Sequence, residues 1–234
     1  MAETFRIGLP LLEAAQAQKH VTVNDGLVRL DAIAGGAVTS LGANTPPGSP
    51  TDGEAHIVGT APTGDWASQS NAVAIRSNGG WIFLAPWIGL TLTDAANGAR
   101  VVYDGASWIT GHVAGSAARA ATQMRVVETE LTIGSGATAD TAPIIAANDV
   151  VIGVTARVLD PITGPTTWRL GVAGADDRYG SGLGIAAGSY ALGVSSSPQA
   201  YYTDTPLRLT GEGGAFTGGR VMLAVHLMAL VPPA

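Results

Sequence analysis

The stretch Val221-Met-Leu-Ala-Val-His-Leu-Met-Ala-Leu230 decides the fold. It is apolar at nearly every position, whereas a strand with one solvated face alternates apolar with polar residues. Such a strand either lies centrally in its domain or has its outer side covered by another subunit. Working back along the chain, short apolar runs at 207–210, 190–194, 183–186, 166–172, 150–159 and 125–133 are separated by Gly, Pro, Asp and Ser. Seven such strands with turn signals between them predict a β-sandwich or jelly roll of about 110 residues, placed at 123–234.

Further upstream, 111–122 lacks large side chains and reads as a linker or short extended bridge. Between 44 and 110 short apolar runs again alternate with turns: 56–58, 72–76, 81–84, 100–103 and 107–109. These predict a small antiparallel sheet. Two of its hairpins look related, because Ile75-Arg-Ser-Asn-Gly-Gly-Trp81 and Val102-Tyr-Asp-Gly-Ala-Ser-Trp108 each place a Gly-containing turn before a tryptophan. Asn78-Gly79 and Asp104-Gly105 readily take the positive φ of tight hairpins. The turn formers of 44–53 separate this sheet from an N-terminal segment, 1–43.

That segment carries an amphipathic run over 25–41. Val23, Leu27, Leu30, Ala34, Ala37 and Leu41 recur at alternating spacings of four and three, the a/d seam of a short coiled coil. Asn24 is placed to cap the first turn, Asp25 suits the positive end of the dipole, and Gly42 sits where the helix should stop. The seam predicts self-association, because one helix cannot bury it alone; packing on its own domain is the alternative. The expected fold class is therefore mainly β, with a short N-terminal α-helical segment, a small antiparallel β-sheet domain and a C-terminal β-sandwich or jelly roll.

Composition narrows the function. Hydrophobic residues make up 46% and charged residues only 13% of 234 residues, with 32 Gly and 13 Pro, the profile of turn-rich β structure with a sparsely charged surface. The net charge is −6, and eleven Arg and the single Lys19 form no cluster of three, which argues against nucleic acid as a partner. Absence of cysteine excludes disulfides, thiolate catalysis and zinc–thiolate sites. No run of about eighteen apolar residues and no secretory signal pattern occurs, so neither membrane insertion nor an ordinary secretory route is expected.

No nucleophile elbow, phosphate loop, dinucleotide fingerprint or paired-histidine zinc motif is present, so no enzyme, cofactor or metal is expected. Gly180-Ser-Gly-Leu-Gly184 and Gly211-Glu-Gly-Gly214 read as loops, and His20, His56, His112 and His226 lack ligand spacing. Sugars are held by stacking on aromatic rings supported by planar polar groups. Trp168, Asp176, Asp177, Arg178, Tyr179, Tyr201 and Tyr202, with Tyr190, are the candidates for a saccharide platform at one end of the sandwich; core or subunit-contact roles are the alternative.

The stretch Leu9-Pro-Leu-Leu through Gln16-Ala-Gln-Lys-His-Val-Thr-Val-Asn24 to Leu30-Asp-Ala-Ile33 resembles an uncharacterised domain family of alphaproteobacterial prophages and gene transfer agents. Gly48-Ser-Pro-Thr-Asp-Gly53, Ile57-Val-Gly59, Thr63-Gly-Asp-Trp66, Trp81-Ile-Phe-Leu84 and Val102 to Trp108 are similar to its middle part. Gly180 to Gly188, Thr205-Pro-Leu207 and Phe216-Thr-Gly-Gly-Arg220 are similar to the domain often attached to it. The resemblance implies a non-enzymatic head spike or tail fibre of a phage-like particle. It would be made in the bacterial cytoplasm, form homotrimers, attach to a particle base through its N-terminal region, and bind host capsular polysaccharide or lipopolysaccharide through its C-terminal domain. A capsule depolymerase and a purely structural spacer are the competing readings.

Overall fold

In a computed structural model, which describes residues 2–13 and 19–234, the chain divides into two compact units, 1–112 and 113–234. The segments expected to be separate at 1–43 and 44–110 fold as one unit, because helix α1 (Lys19–Gly35) packs Val28 and Ala32 into the same core as the sheets. Gln16, Ala17 and Gln18 of the Gln-Ala-Gln-Lys-His segment lie outside the described residues.

α1 ends earlier than the apolar period suggests. Gly36, at φ +62°, donates its N–H to the carbonyl of Ala32 and closes the last turn. Ala37 and Leu41 then fall in β1 (Ala37–Val38) and β2 (Ser40–Ala43), not on the helix, so the expected span of 25–41 and a stop at Gly42 are corrected. Asn24 lies inside the helix, and its side-chain amide clasps the backbone N–H and carbonyl of Leu12 at 2.9 and 3.1 Å. Sequence period cannot register this stop, since Ala37 and Leu41 stay in phase across the Gly35-Gly36 pair.

The N-terminal arm is tied to the helix by one buried carboxylate. Asp31 accepts hydrogen bonds from the Thr4 hydroxyl (2.8 Å), the Arg6 N–H (3.0 Å) and the Ile7 N–H (2.8 Å). Arg6 in turn donates to the Gly53 carbonyl and passes so close over Gly35 that a Cβ there would lie 2.7 Å from its Cδ.

The remaining strands of this unit are β3 (Ala55–Val58), β4 (Val73–Ser77), β5 (Gly80–Leu84), β6 (Thr91–Asp94), β7 (Arg100–Tyr103) and β8 (Trp108–Thr110). Instead of one small antiparallel sheet they build two mixed four-stranded sheets, β2-β3-β4-β5 and β1-β6-β7-β8. Each is an antiparallel meander with a short parallel strand at one edge. The two related hairpins occupy equivalent places, with Trp81 opposite Arg76 and Trp108 opposite Tyr103. Asn78 and Gly79 both have positive φ, as a two-residue hairpin turn requires.

One core joins Val28 and Ala32 to Val38, Ile57, Val73, Ile75, Leu90, Leu92 and Val101. On the other face of β2-β3-β4-β5, Trp66 and Trp81 pack edge to face at 5.1 Å, and buried His56 lies 5.5 Å from the Trp66 ring. His56 Nδ1 is 2.9 Å from the Ser40 hydroxyl and Nε2 is 3.3 Å from a Glu54 oxygen, an arrangement that suits the neutral ring with its proton on Nε2. Burial pushes the His56 pKa below its usual value, outweighing the upward pull of Glu54. The unfolded chain therefore binds this proton first as pH falls. His56 contributes stability that is complete above about pH 6.5 and is lost progressively as pH drops from there towards the depressed folded value. Across that window the stability of the wild type should fall more steeply with decreasing pH than that of His56→Gln, as thermal melts at a series of pH values would show, because only the wild type loses stability to this proton.

The second unit contains β9 (His112–Gly115), β10 (Ala121–Thr132), β11 (Thr138–Ile145), β12 (Val150–Thr163), β13 (Thr167–Val172), β14 (Ala175–Leu183), β15 (Tyr190–Ala200), β16 (Thr205–Glu212) and β17 (Gly218–Val231). Residues 111–122 are thus not a linker: β9 and the start of β10 are adjacent strands of one sheet, joined through a turn in which Arg119 donates its N–H to the Ser116 carbonyl. The sheets are β15-β12-β17-β10-β9 and β11-β16-β13-β14. Setting aside β9, this is the strand order of a jelly roll, with antiparallel pairing at every register read for β10 to β17. β17 is central, between β12 and β10, and its Val221, Leu223, Val225 and Leu227 point into a core shared with Trp168, Leu170, Leu207, Leu209 and Phe216. The run expected at 183–186 is the end of β14 and the turn after it. β11 escapes sequence reading because Pro143 interrupts it, which an edge strand tolerates.

Candidate functional site

The residues proposed as a saccharide platform do not converge. Trp168 alternates inward on β13, is 1% exposed, and donates its indole N–H to the Gly184 carbonyl at 3.0 Å. Tyr179 is buried on β14 with its hydroxyl 2.7 Å from that of Tyr201, and burial together with that hydroxyl lifts its pKa well above the usual tyrosine range. Neither ring offers a face to a ligand; both are core, and the sequence reading is corrected there. Tyr190 stands opposite Arg157 and the far end of β15 opposite Val150, so roughly seven residues, or about 23 Å of strand, separate Tyr190 from the Tyr201-Tyr202 end.

What remains together at that end is smaller. Arg178 donates to the Gln199 side-chain oxygen at 2.8 Å, Tyr202 is 81% exposed, and Asp204 accepts the Ala147 N–H at 2.9 Å. Asp176 and Asp177 begin β14, and their charge acts on Arg169, that of Asp176 on Arg208 as well. They belong to the polar outer side of the four-stranded sheet. There Arg208 chelates Asp140 through two bonds of 2.8 and 2.7 Å and Arg169 holds Glu212 at 2.7 Å, drawing both carboxyls below their usual range.

The outer side of the five-stranded sheet has the opposite character. Met222, Ala224, His226, Met228 and Leu230 of β17 face outward beside Met124 and Val126 on β10; on the other side, beyond Gly153 and Thr155 of β12, β15 adds Leu192 and Val194. Leu192 is 69% and Val194 81% exposed. β15 is inverted relative to an ordinary strand: its small residues Ala191 and Gly193 point inward and its large apolar ones outward. The inversion is forced, because a Cβ on Gly193 would lie 2.3 Å from the Tyr179 carbonyl oxygen. The sequence signal was the alternation Tyr190-Ala-Leu-Gly-Val194, legible only once the inward face is known.

In the first unit, Val23, Leu30 and Ala34 of the expected seam are exposed and Leu27 is half-buried, while the face that packs on the sheets is Val28, Asp31 and Ala32. The stripe thus survives for four of its six members. The arm adds exposed Phe5, Ile7 and Leu12. Trp87 and Ile88, unremarked in the sequence, protrude from a turn fixed by the Leu90 N–H on the Trp87 carbonyl and the Gly89 N–H on the Tyr103 carbonyl.

Among the described residues no helix is long and apolar enough to cross a membrane, and no group of three or more His, Cys, Asp or Glu side chains is placed to hold a metal ion. Residues 23–109, most of the first unit, match a family described as a protein of unknown function (DUF2793). No curated protein matches the chain. Among solved structures, a chain of the cyanophage Pam1 capsid asymmetric unit shares 22% sequence identity over 46% of this chain and 86% of that one, with a TM-score of 0.36.

Proposed function

We propose that this chain is a non-enzymatic structural component of a phage-like particle, a fibre or spike built from associated copies. Its N-terminal unit attaches to the particle base and its jelly roll contacts host-surface polysaccharide. The observation that carries the assembling role is the unpartnered apolar surface on each unit: the helical stripe with its arm, and the outer face of the five-stranded sheet. Clusters of exposed apolar side chains on a folded domain commonly mark interaction sites. The resemblance carried by Gln16-Ala-Gln-Lys-His20 and the hairpin tryptophans supports the particle setting.

For the sugar, the support is narrower: exposed Tyr202, three positions along the chain from the Gln199 that pairs with Arg178, supplies one ring near two planar polar groups. Weak single sites repeated on each fibre would gain about 10² to 10⁴ in avidity. The full chain should retain purified host capsule or lipopolysaccharide on a glycan surface, and Tyr202→Ala should reduce retention at least tenfold without changing the melting temperature. Retention unchanged by Tyr202→Ala would remove this site. No retention of any host glycan would leave the spacer reading, and shortened capsule chains after incubation would establish a depolymerase.

A further inference from the structure

The two outer faces of the jelly roll act as each other's control. They belong to the same domain and the same core, yet one is laced with Asp140–Arg208 and Arg169–Glu212 pairs and the other is apolar where β17 and β10 carry Met228, Leu230, Met124 and Val126. An antiparallel sheet with one face on a core ordinarily solvates the other, as the four-stranded sheet does. On the outer face of the five-stranded sheet the ion pairs sit at one end, where Arg220 bridges Glu130 (2.9 Å) and Asp160 (2.7 Å). Two further charges flank β17 without an ion-pair partner among the described residues: Glu128 on β10, opposite Ala224, and Arg157 on β12, opposite Met222. Between them the small side chain of Ala224 leaves a shallow depression of about 400 Å³, also bordered by Tyr190, Leu192 and His226.

The geometry points to a second copy of this chain as the occupant of this face, docked with its β17 alongside and in the same direction, so that Glu128 of each copy meets Arg157 of the other. Rotating one sheet onto another about an axis parallel to the strands lays β10 of each over β12 of the other and keeps apolar end on apolar end. Rotation about an axis across the strands would set Leu230 against the Asp160–Arg220 end and is disfavoured. Facing sheets stand about 10 Å apart, a gap that Glu and Arg side chains span together. Four strands, β15, β12, β17 and β10, about 4.8 Å apart and about seven residues long over this face, give a footprint near 450 Å² in projection. The accessible area of such a side-chain-covered face is larger, approaching the roughly 800 Å² per partner of a standard interface.

This rests on the reading of the chain as an assembling component, and the test separates the two. Sedimentation equilibrium of the full chain should show association. Glu128→Arg and Arg157→Glu should each weaken it by about tenfold or more, while the double exchange should recover to within about threefold of wild type. Met228→Glu, at the centre of the apolar end, should weaken it at least a hundredfold, with circular dichroism unchanged. Association that ignores all four variants would overturn this interface and leave the assembling role to the helical stripe. A monomer at every concentration would overturn both. Weakening by the single charge variants without recovery in the double would overturn the Glu128–Arg157 register.

Discussion

Trp168→Ala should cost the jelly roll about 3–5 kcal/mol, the range for deleting a large buried aromatic side chain. The indole fills the centre of the sandwich beside Leu170, Leu207 and Leu209, all fully buried, so the cavity has rigid walls and little freedom to collapse. The Gly184 carbonyl also loses its donor. Trp168→Phe keeps part of the volume and loses the hydrogen bond, so it should fall between. Denaturant titration read by hydrogen exchange of peptides from β13 and β16 measures the effect where it arises. A loss below about 1 kcal/mol would place the ring outside the core, contrary to this packing. Sugar retention per folded molecule should be unaffected, in contrast to Tyr202→Ala.

Asp31→Ala should cost the first unit about 3 kcal/mol, because three donors, two of them backbone N–H groups of the arm, lose one buried acceptor. The arm should loosen around 4–7: besides Asp31, among the described residues these positions are held by the Arg6 contacts to the Gly53 and Ala37 carbonyls and the Thr4–Leu9 turn, while Leu12 keeps its clasp on Asn24. Hydrogen exchange of peptides spanning 4–7 should become fast while the β3–β5 meander stays protected. Asp31→Asn, which retains one acceptor oxygen, should show roughly half the loss. Unchanged protection of the arm would mean that Asp31 does not anchor it.

Most of the β architecture was legible because it rests on local signals. The apolar run 221–230 identified the central strand, and Asn78-Gly79 and Asp104-Gly105 identified two hairpins to within a residue. What escaped was set by tertiary context. The helix stop at Gly36 depends on a positive φ that the period of Val23, Leu27, Leu30, Ala34 and Ala37 cannot reveal. The parallel strands β1 and β2 are two and four residues long and gain their pairing from β6 and β3 rather than from their own composition.

The candidate site was less legible for a related reason. Adjacent aromatics such as Tyr201 and Tyr202 give no indication of which ring turns inward, and the pairing of Tyr201 with Tyr179 is tertiary. For Trp168 the signal was present, since polar Thr167 and Arg169 alternate with Trp168 and Leu170 and place the ring on the apolar face of β13. The apolar outer face was anticipated for β17 alone. Its extension to Met124 and Val126 on β10, and beyond β12 to Leu192 and Val194 on β15, appears only once the sheet order is known.

Methionine oxidation tests the central claim most directly, because Met124, Met222 and Met228 all stand on the outer face of the five-stranded sheet. If copies of the chain cover that face, dilute peroxide should oxidise the three slowly at micromolar protein and faster as the protein is diluted or Met228→Glu subunits are used, with Met124 and Met222 as reporters. Rapid oxidation of all three at every concentration would show the face open to water and contradict the account.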